Sequence, residues 1–311
     1  MTTDAPSGAQ AAPLAGSGRL AGSAQGMRAR LSRAAPFVPG ALLLTFLFLI
    51  PMLIMFVFSL WRTNSDFDMV REWNLNNYAR FFNQATYIRT FVKTLVMAGA
   101  VTLAGLAIAL PFTYFLVRYV SRRLQRAVLL AVIVPFWTSY LLRVYAWQAI
   151  LGEKGALNQF LMGLGIIDKP STLLVYNDLG VFIVLVYVYF PFAALALYAA
   201  LEKFDFTQLI AAQDLGARPD QAFRRILVPQ IRTGLITASI FVFIPILGEY
   251  LTPTLVGGAQ GTLIANLIVN FTRQAQIPEG AALAIVIAAF VTVLLIVFRR
   301  SLRVEDVVAR G

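Results

Sequence analysis

Lys203-Phe-Asp-Phe-Thr-Gln-Leu-Ile-Ala-Ala-Gln-Asp-Leu-Gly-Ala-Arg-Pro-Asp-Gln-Ala-Phe-Arg-Arg-Ile-Leu-Val-Pro229 is a polar interval between two apolar runs, 179–201 and 234–251. Read locally, it is two short helices at a turn. Asp205 or Thr207 can cap the first. Gly216 can end it by taking the left-handed conformation that a side chain penalises. Pro219 suits the first turn of the second helix, where its missing N–H is no loss. Phe223, Ile226 and Leu227 share one face at helical spacing, and Arg224 and Arg225 point elsewhere. Pro229 is placed to stop the helix. The small pair Ala211 and Ala212 lets another backbone or a bulky side chain come close. On physical grounds alone, the stretch reads equally well as an amphipathic loop with its arginines at lipid phosphate.

Four further apolar runs lie outward from this interval, at 37–60, 91–117, 127–150 and 281–298. Each of the six is close to the ~20 residues that a bilayer core requires. The chain of 311 residues is 59% apolar and 13% charged, against roughly a quarter charged in soluble domains. Its charges cluster between the runs, the pattern of a chain solvated by lipid. The expected fold is all-α, a polytopic membrane protein with six transmembrane helices. The first run is too long for a signal-peptide core, and no convincing small-residue cleavage site follows it, so it reads as an uncleaved span. Residues 1–34, rich in Ala, Gly, Ser and Pro, are expected to form a disordered cytoplasmic tail. The transmembrane domain then covers 35–305, and 306–311 is a second tail. Pro111, Pro191 and Pro245 fall inside spans, where kinks are tolerated if neighbours satisfy the freed carbonyl.

With the N-terminus inside, 17 Lys and Arg fall on inner segments and nine on outer ones. That bias places both termini in the cytoplasm. The net charge of +11 flanks apolar segments and forms no solvated face, which argues against nucleic acid. There is no cysteine and no histidine. Disulfides, the usual zinc sites and His-based acid–base chemistry are therefore excluded. No nucleophile–base pair lies within the spans, so an intramembrane enzyme is a poor reading.

The 203–229 loop resembles the signature of binding-protein-dependent ABC permeases: Glu-Ala-Ala, three residues, Gly, nine residues, Ile, one residue, Leu-Pro. Ala211, Ala212, Gly216, Ile226 and Pro229 stand at the matching places; Ile210 replaces the Glu and Val228 the Leu. Other stretches are similar to the spermidine/putrescine-type branch: Trp73-Asn-Leu-Asn-Asn-Tyr78, Pro135-Phe-Trp-Thr-Ser-Tyr-Leu-Leu-Arg-Val-Tyr-Ala-Trp147, Phe190-Pro191-Phe192 and Leu247-Gly-Glu-Tyr-Leu-Thr-Pro-Thr-Leu-Val-Gly-Gly258. That branch also holds relatives for iron, sulfate, opines and phosphonates. The resemblance implies a type I ABC importer transmembrane fold. It also implies a second permease subunit, two cytoplasmic ATPase subunits that bind ATP and Mg, and an extracytoplasmic binding protein. Ala211, Ala212, Asp214, Gly216, Ala217, Pro219, Ile226 and Pro229 would then meet the ATPase, and the loss of Glu at position 210 would remove a salt bridge there. No cofactor or metal is expected in this chain. None of its four lysines follows a glycine, so it has no phosphate-binding P-loop. A secondary transporter is the rival class, but it would want a half-to-half repeat and mid-membrane acids that coordinate ions.

Charges inside spans are costly and mark function by default. Glu249, near the outer end of the fifth run and followed by Tyr250, is such a residue, placed either on the substrate path or at headgroup level. In the third run, Trp137, Tyr140, Arg143 and Trp147 fall within about a third of a helix circumference. They form either a pore lining whose rings hold a cation or an interfacial aromatic belt. Arg143 opposes a cationic substrate unless an acid pairs with it. Asp178 reads as the cap of the fourth span. The orientation can be checked with single cysteines in this cysteine-free chain and an impermeant thiol reagent on intact cells. Position 220 should stay unlabelled, and strong labelling there would reverse the topology.

Overall fold

The computed structural model describes residues 38–171 and 174–302, and both expected tails lie outside them. The chain parts into two units, Met1–Met55 and Phe56–Gly311. The first helix, α1, covers Val38–Leu44, a π-turn Thr45–Leu49 and Ile50–Ser59. Its stretch Leu42–Ser59 is long and apolar enough to cross a bilayer. It is apolar on every side, as a helix solvated by lipid is.

In the second unit a short hairpin comes first, β1 (Arg62–Thr63) antiparallel to β2 (Met69–Val70), with Arg62 opposite Val70. The helices follow as α2 (Asn76–Asn83), α3 (Ala85–Tyr119), α4 (Arg122–Ile133), α5 (Tyr140–Leu151), α6 (Ala156–Gly163) and α7 (Asp178–Glu202). After them come α8 (Thr207–Asp214), α9 (Pro219–Ala222), α10 (Arg232–Leu247), α11 (Ile264–Arg273) and α12 (Ile277–Leu302). Among the described residues, α1, α3, α7 and α12 are uninterrupted candidate spans. Two bent pairs bring the number to six: Arg122–Trp137 with Tyr140–Gly163 at 93°, and Pro219–Gln230 with Arg232–Leu247 at 70°. Pro111 and Pro191 sit inside α3 and α7, which run on through them.

Three sequence expectations are corrected. The third run is not one helix. α4 tightens into a 3₁₀ turn at Val134–Trp137, and Thr138 is extended. The Thr138 hydroxyl donates to the Pro135 carbonyl at 2.6 Å, a side-chain bond that competes with helix continuation. Pro229 does not stop a helix either. It sits in the helical segment Val228–Gln230, after a π-turn at Phe223–Leu227, and the bend comes at Ile231. The cap of α7 is Asn177, whose side chain accepts from the Gly180 N–H at 2.9 Å. Asp178 lies in the first turn instead and pairs with Lys93 at 2.7 Å.

α7 is the centre of this unit, packed on α3 and α10. Its buried face runs Val181, Val184, Leu185, Val188, Ala193 and Leu197. Where α7 and α10 cross, the approach is as close as glycine permits: a Cβ on Gly234 would lie 2.3 Å from the Ala200 Cβ. At the hairpin end, Lys93 ties α3 to Asp178 and to the Gln260 carbonyl. Glu279, in the first turn of α12, is buried and held by Thr63 at 2.7 Å and Arg80 at 3.6 Å. The sequence reading, which began the last span at 281, did not single out Glu279.

Thr94 of α3 is fully buried and joins two elements. Its hydroxyl donates to the Thr90 carbonyl at 2.8 Å and accepts from the Ile264 N–H that opens α11 at 2.9 Å. Thr94→Val keeps the shape and orphans that N–H, a cost of about 1–3 kcal/mol. Thermal unfolding in detergent should therefore drop for Thr94→Val and stay near wild type for Thr94→Ser.

Candidate functional site

The break in the third run and the gap that follows α10 meet at one carboxylate. α10 ends at Leu247, the chain passes through Gly248–Tyr250, and helical structure resumes at Leu251. Glu249 lies in that gap and is 7% exposed. Its Oε1 accepts the N–H groups of Leu251 at 2.9 Å and Thr252 at 3.1 Å, capping the resumed segment. Its Oε2 accepts the hydroxyls of Tyr140 at 2.7 Å and Tyr189 at 3.2 Å. Tyr140 and the fully buried Thr252 are also 2.7 Å apart through their hydroxyl oxygens. Tyr140 gives its one proton to Glu249, so Thr252 donates to Tyr140. Four donors and no acceptor surround the carboxylate, the set that an ionised acid satisfies. No basic side chain lies within 4 Å of it among the described residues.

The level of Glu249 follows from its partner. Tyr189 is the twelfth of the 25 residues of α7, about 17 Å along its axis. Glu249 therefore lies level with the middle of α7. Tyr140 opens α5, just past the other break. Broken helices are tolerated in hydrocarbon only where protein or a water-filled path receives the freed backbone, and they mark substrate sites in transporters.

The break divides the aromatic face expected on the third run. Trp137 ends the turn before the break and is 85% exposed, turned away from this cluster. Tyr140, Arg143 and Trp147 stay on one face of α5. Trp147 stacks on Tyr187 of α7 at 5.2 Å. Arg143 lies over two rings, Phe136 at 4.7 Å and Tyr140 at 5.6 Å. Its Nε is buried without a hydrogen-bond partner, a cost of about 1–3 kcal/mol. Phe136 packs edge-on to Phe192 at 5.1 Å, and Phe192 neighbours Tyr189 at 6.0 Å. Tyr250 is 41% exposed and contributes its carbonyl, to Asn266 at 2.9 Å, rather than its ring. Tyr189, Thr252, Phe136 and Phe192 were not singled out from sequence. The hydroxyls of Tyr189 and Thr252 in apolar surroundings were the signal available.

The 203–229 loop forms the second candidate region. Asp205 accepts the hydroxyl of Thr207 at 2.6 Å and its N–H at 3.0 Å, which holds the Asp205 carboxyl below the usual range. Gly216 has φ +91°. The Ala217 N–H reaches the Ala212 carbonyl and the Gly216 N–H that of Gln213, both at 2.9 Å, the closure that ends a helix at a left-handed residue. Pro219 opens α9. Leu209, Ala222 and Leu227 are buried with Leu201, Phe204 and Ile231, and Ala212, Phe223 and Ile226 pack against them. Arg224, Arg225, Asp214, Ala211 and Pro229 are exposed and Ala217 is half-buried. Ile210 and Leu215 are apolar yet 44% and 90% exposed.

The family described as binding-protein-dependent transport system inner membrane component matches residues 102–306. The chain is 37% identical over 243 residues to the spermidine/putrescine transport system permease protein PotB of Escherichia coli K12, covering 78% of this chain and 87% of that one. Its fold is similar to a bacterial ABC transporter involved in import of the acidic polysaccharide alginate, with TM-score 0.68 at 17% identity over 90% of this chain and 97% of that one. The same transporter in complex with an alginate pentasaccharide-bound periplasmic protein gives TM-score 0.67 at 16% identity, over 90% and 98%.

The bonds around Glu249 set an order of stabilities. Tyr189→Phe removes one long bond to a charged group, Tyr140→Phe removes a short one and its link to Thr252, and Glu249→Leu strands four donors. Bonds to charged groups contribute about 1.5–3 kcal/mol each. Detergent melting temperature should fall in the order wild type, Tyr189→Phe, Tyr140→Phe, Glu249→Leu.

Proposed function

From the premise that the chain belongs to the binding-protein-dependent transport system inner membrane components, and is a multi-pass permease subunit of an importer, we propose that its substrate is a polyamine such as spermidine or putrescine. The observation that carries this reading is Glu249: a buried carboxylate, level with the middle of α7, with no basic side chain paired to it among the described residues. A carboxylate in such a place attracts an organic cation more strongly than it would in water, because screening is weaker there. The rings of Tyr140 and Tyr189 beside it suit ammonium groups, at roughly 0.5–2 kcal/mol each. The likeness to a spermidine/putrescine permease supports the same class. Oε1 is committed to backbone N–H groups, whereas Oε2 is held by two hydroxyls that a substrate ammonium can replace. A site shared in this way holds a passing ion without trapping it.

In this reading the subunit pairs with a second permease, and an extracytoplasmic binding protein delivers the substrate at the hairpin end. The alginate transporter's periplasmic protein supports a partner of that kind. Both termini and the 203–232 loop face the cytoplasm. Cytoplasmic ATPase subunits bind ATP and Mg and seat on the loop through the exposed face of α8 and its turn, Ile210, Ala211, Asp214 and Leu215. The residue that stands in place of the family's Glu, Ile210, offers an apolar contact there. A second reading draws on Arg143, whose unpaired guanidinium favours an anionic solute such as an opine, phosphonate or sulfate.

The test is uptake of labelled spermidine and putrescine into proteoliposomes of the assembled transporter. Wild type should import both. Glu249→Gln, which removes the charge and keeps the shape, should lower uptake at least about tenfold, the effect of one charge-assisted bond. Gly216→Val places a β-branched residue at φ +91°, at a cost of about 1–2 kcal/mol. It should insert normally and lose substrate-stimulated ATP hydrolysis. Uptake of an anion and of no polyamine by wild type would replace this reading with the second.

A further inference from the structure

Arg143 stands in apparent conflict with a cationic substrate, and its surroundings resolve the conflict. A site for an organic cation needs aromatic faces and a carboxylate. Both are present and contiguous: Phe136, Phe192, Tyr189 and Tyr140 follow one another, and the two tyrosines hold Glu249 Oε2. Each half is filled by the protein itself. The phenol hydroxyls fill the carboxylate's open side, and the guanidinium of Arg143 fills the ring faces, 4.7 Å from the Phe136 centroid and 5.6 Å from that of Tyr140. The guanidinium is held there by little else. Among the described residues no carboxylate lies within 4 Å of it, and its Nε is buried without a hydrogen-bond partner.

We propose that Arg143 is a tethered cation that occupies the aromatic part of the substrate site while the site is empty, and that an ammonium group of the substrate displaces it during passage. This rests on the polyamine reading and adds a rule of specificity to it. A monoamine gains either the rings or Oε2, but not both, and does not repay the removal of the resident guanidinium. A diamine or polyamine places one ammonium on the rings and another at Oε2, and so completes the exchange. Arg143 also returns to the rings as the substrate leaves, which drives release from a site that would otherwise hold cations too long.

The experiment uses the assembled transporter in lipid nanodiscs, with equilibrium binding of putrescine and of butylamine as probes, beside the uptake assay. Wild type should bind putrescine weakly and reject butylamine. Arg143→Gln should bind putrescine about tenfold more tightly, accept butylamine, and show lower KM together with lower kcat for putrescine uptake. Arg143→Lys, which keeps the charge, should restore the discrimination. Phe136→Leu, which leaves the arginine intact and removes the ring beneath it, should weaken putrescine binding and serves if Arg143→Gln does not fold. Discrimination unchanged in Arg143→Gln, loss of its cation binding, or unchanged binding in Phe136→Leu each overturns the proposal while leaving polyamine transport standing. Absence of polyamine uptake in wild type instead removes the underlying reading, and this inference with it.

Discussion

Where a spanning helix breaks inside hydrocarbon, no water is at hand to receive the freed backbone groups, so the protein must supply a partner for each. The neighbourhood of Glu249 is organised by that demand. Glu249 Oε1 takes the N–H groups of Leu251 and Thr252. Gln148 donates to the Leu255 carbonyl at 2.7 Å, and Asn266 donates to that of Tyr250 at 2.9 Å. Thr138 closes on Pro135 at the other break. Each break thus draws polar side chains to it. One oxygen of Glu249 holds two backbone N–H groups, and the other holds two hydroxyls.

The same constraint explains what the sequence could show. Apolar runs of about twenty residues announce the spans, because lipid demands them whatever the tertiary arrangement. The break at Thr138 hides inside such a run, since Pro135, Phe136 and Trp137 are as apolar as a continuous helix would be; the adjacent hydroxyl pair Thr138 and Ser139 was its mark. Glu249 was visible as an acid among apolar residues, but its level along α7 was not, because that depends on Tyr189, 60 positions away. Likewise Glu279 becomes notable only when Arg80 and Thr63 close on it from the far side of the chain. Local signals fared better in the 203–229 loop. The turn glycine, the helix-opening proline and the buried stripe are settled within a few residues, and they stand where spacing put them. Pro229 and Asp178 misled because each sits within two residues of the one, Ile231 and Asn177 respectively, that performs the role expected of it.

One helix, α10, joins the loop to the segment that carries the carboxylate. α10 leaves the bend at Ile231, beside buried Leu227, and ends just before Glu249. Its 16 residues span about 24 Å. Beside it, α7 runs from the Asp178 pair at the hairpin end to the Leu201 and Phe204 cluster at the loop end. These two helices cross closely at Ala200 and Gly234, and Glu249 is held between α7 and α5 just past the end of α10.

The crossing at Ala200 and Gly234 also governs how the sequence can drift. With 2.3 Å between the Ala200 Cβ and a Cβ built on Gly234, the two positions behave as one variable. A methyl group can sit on α7 or on α10, but two methyls cannot share the gap. Moving it from one helix to the other requires an intermediate with glycine at both places, which leaves a small void and loses contacts. The route through two alanines is shut by overlap. Lineages with the methyl on opposite helices are therefore joined only through the looser form, and a chain that settles on one arrangement tends to keep it.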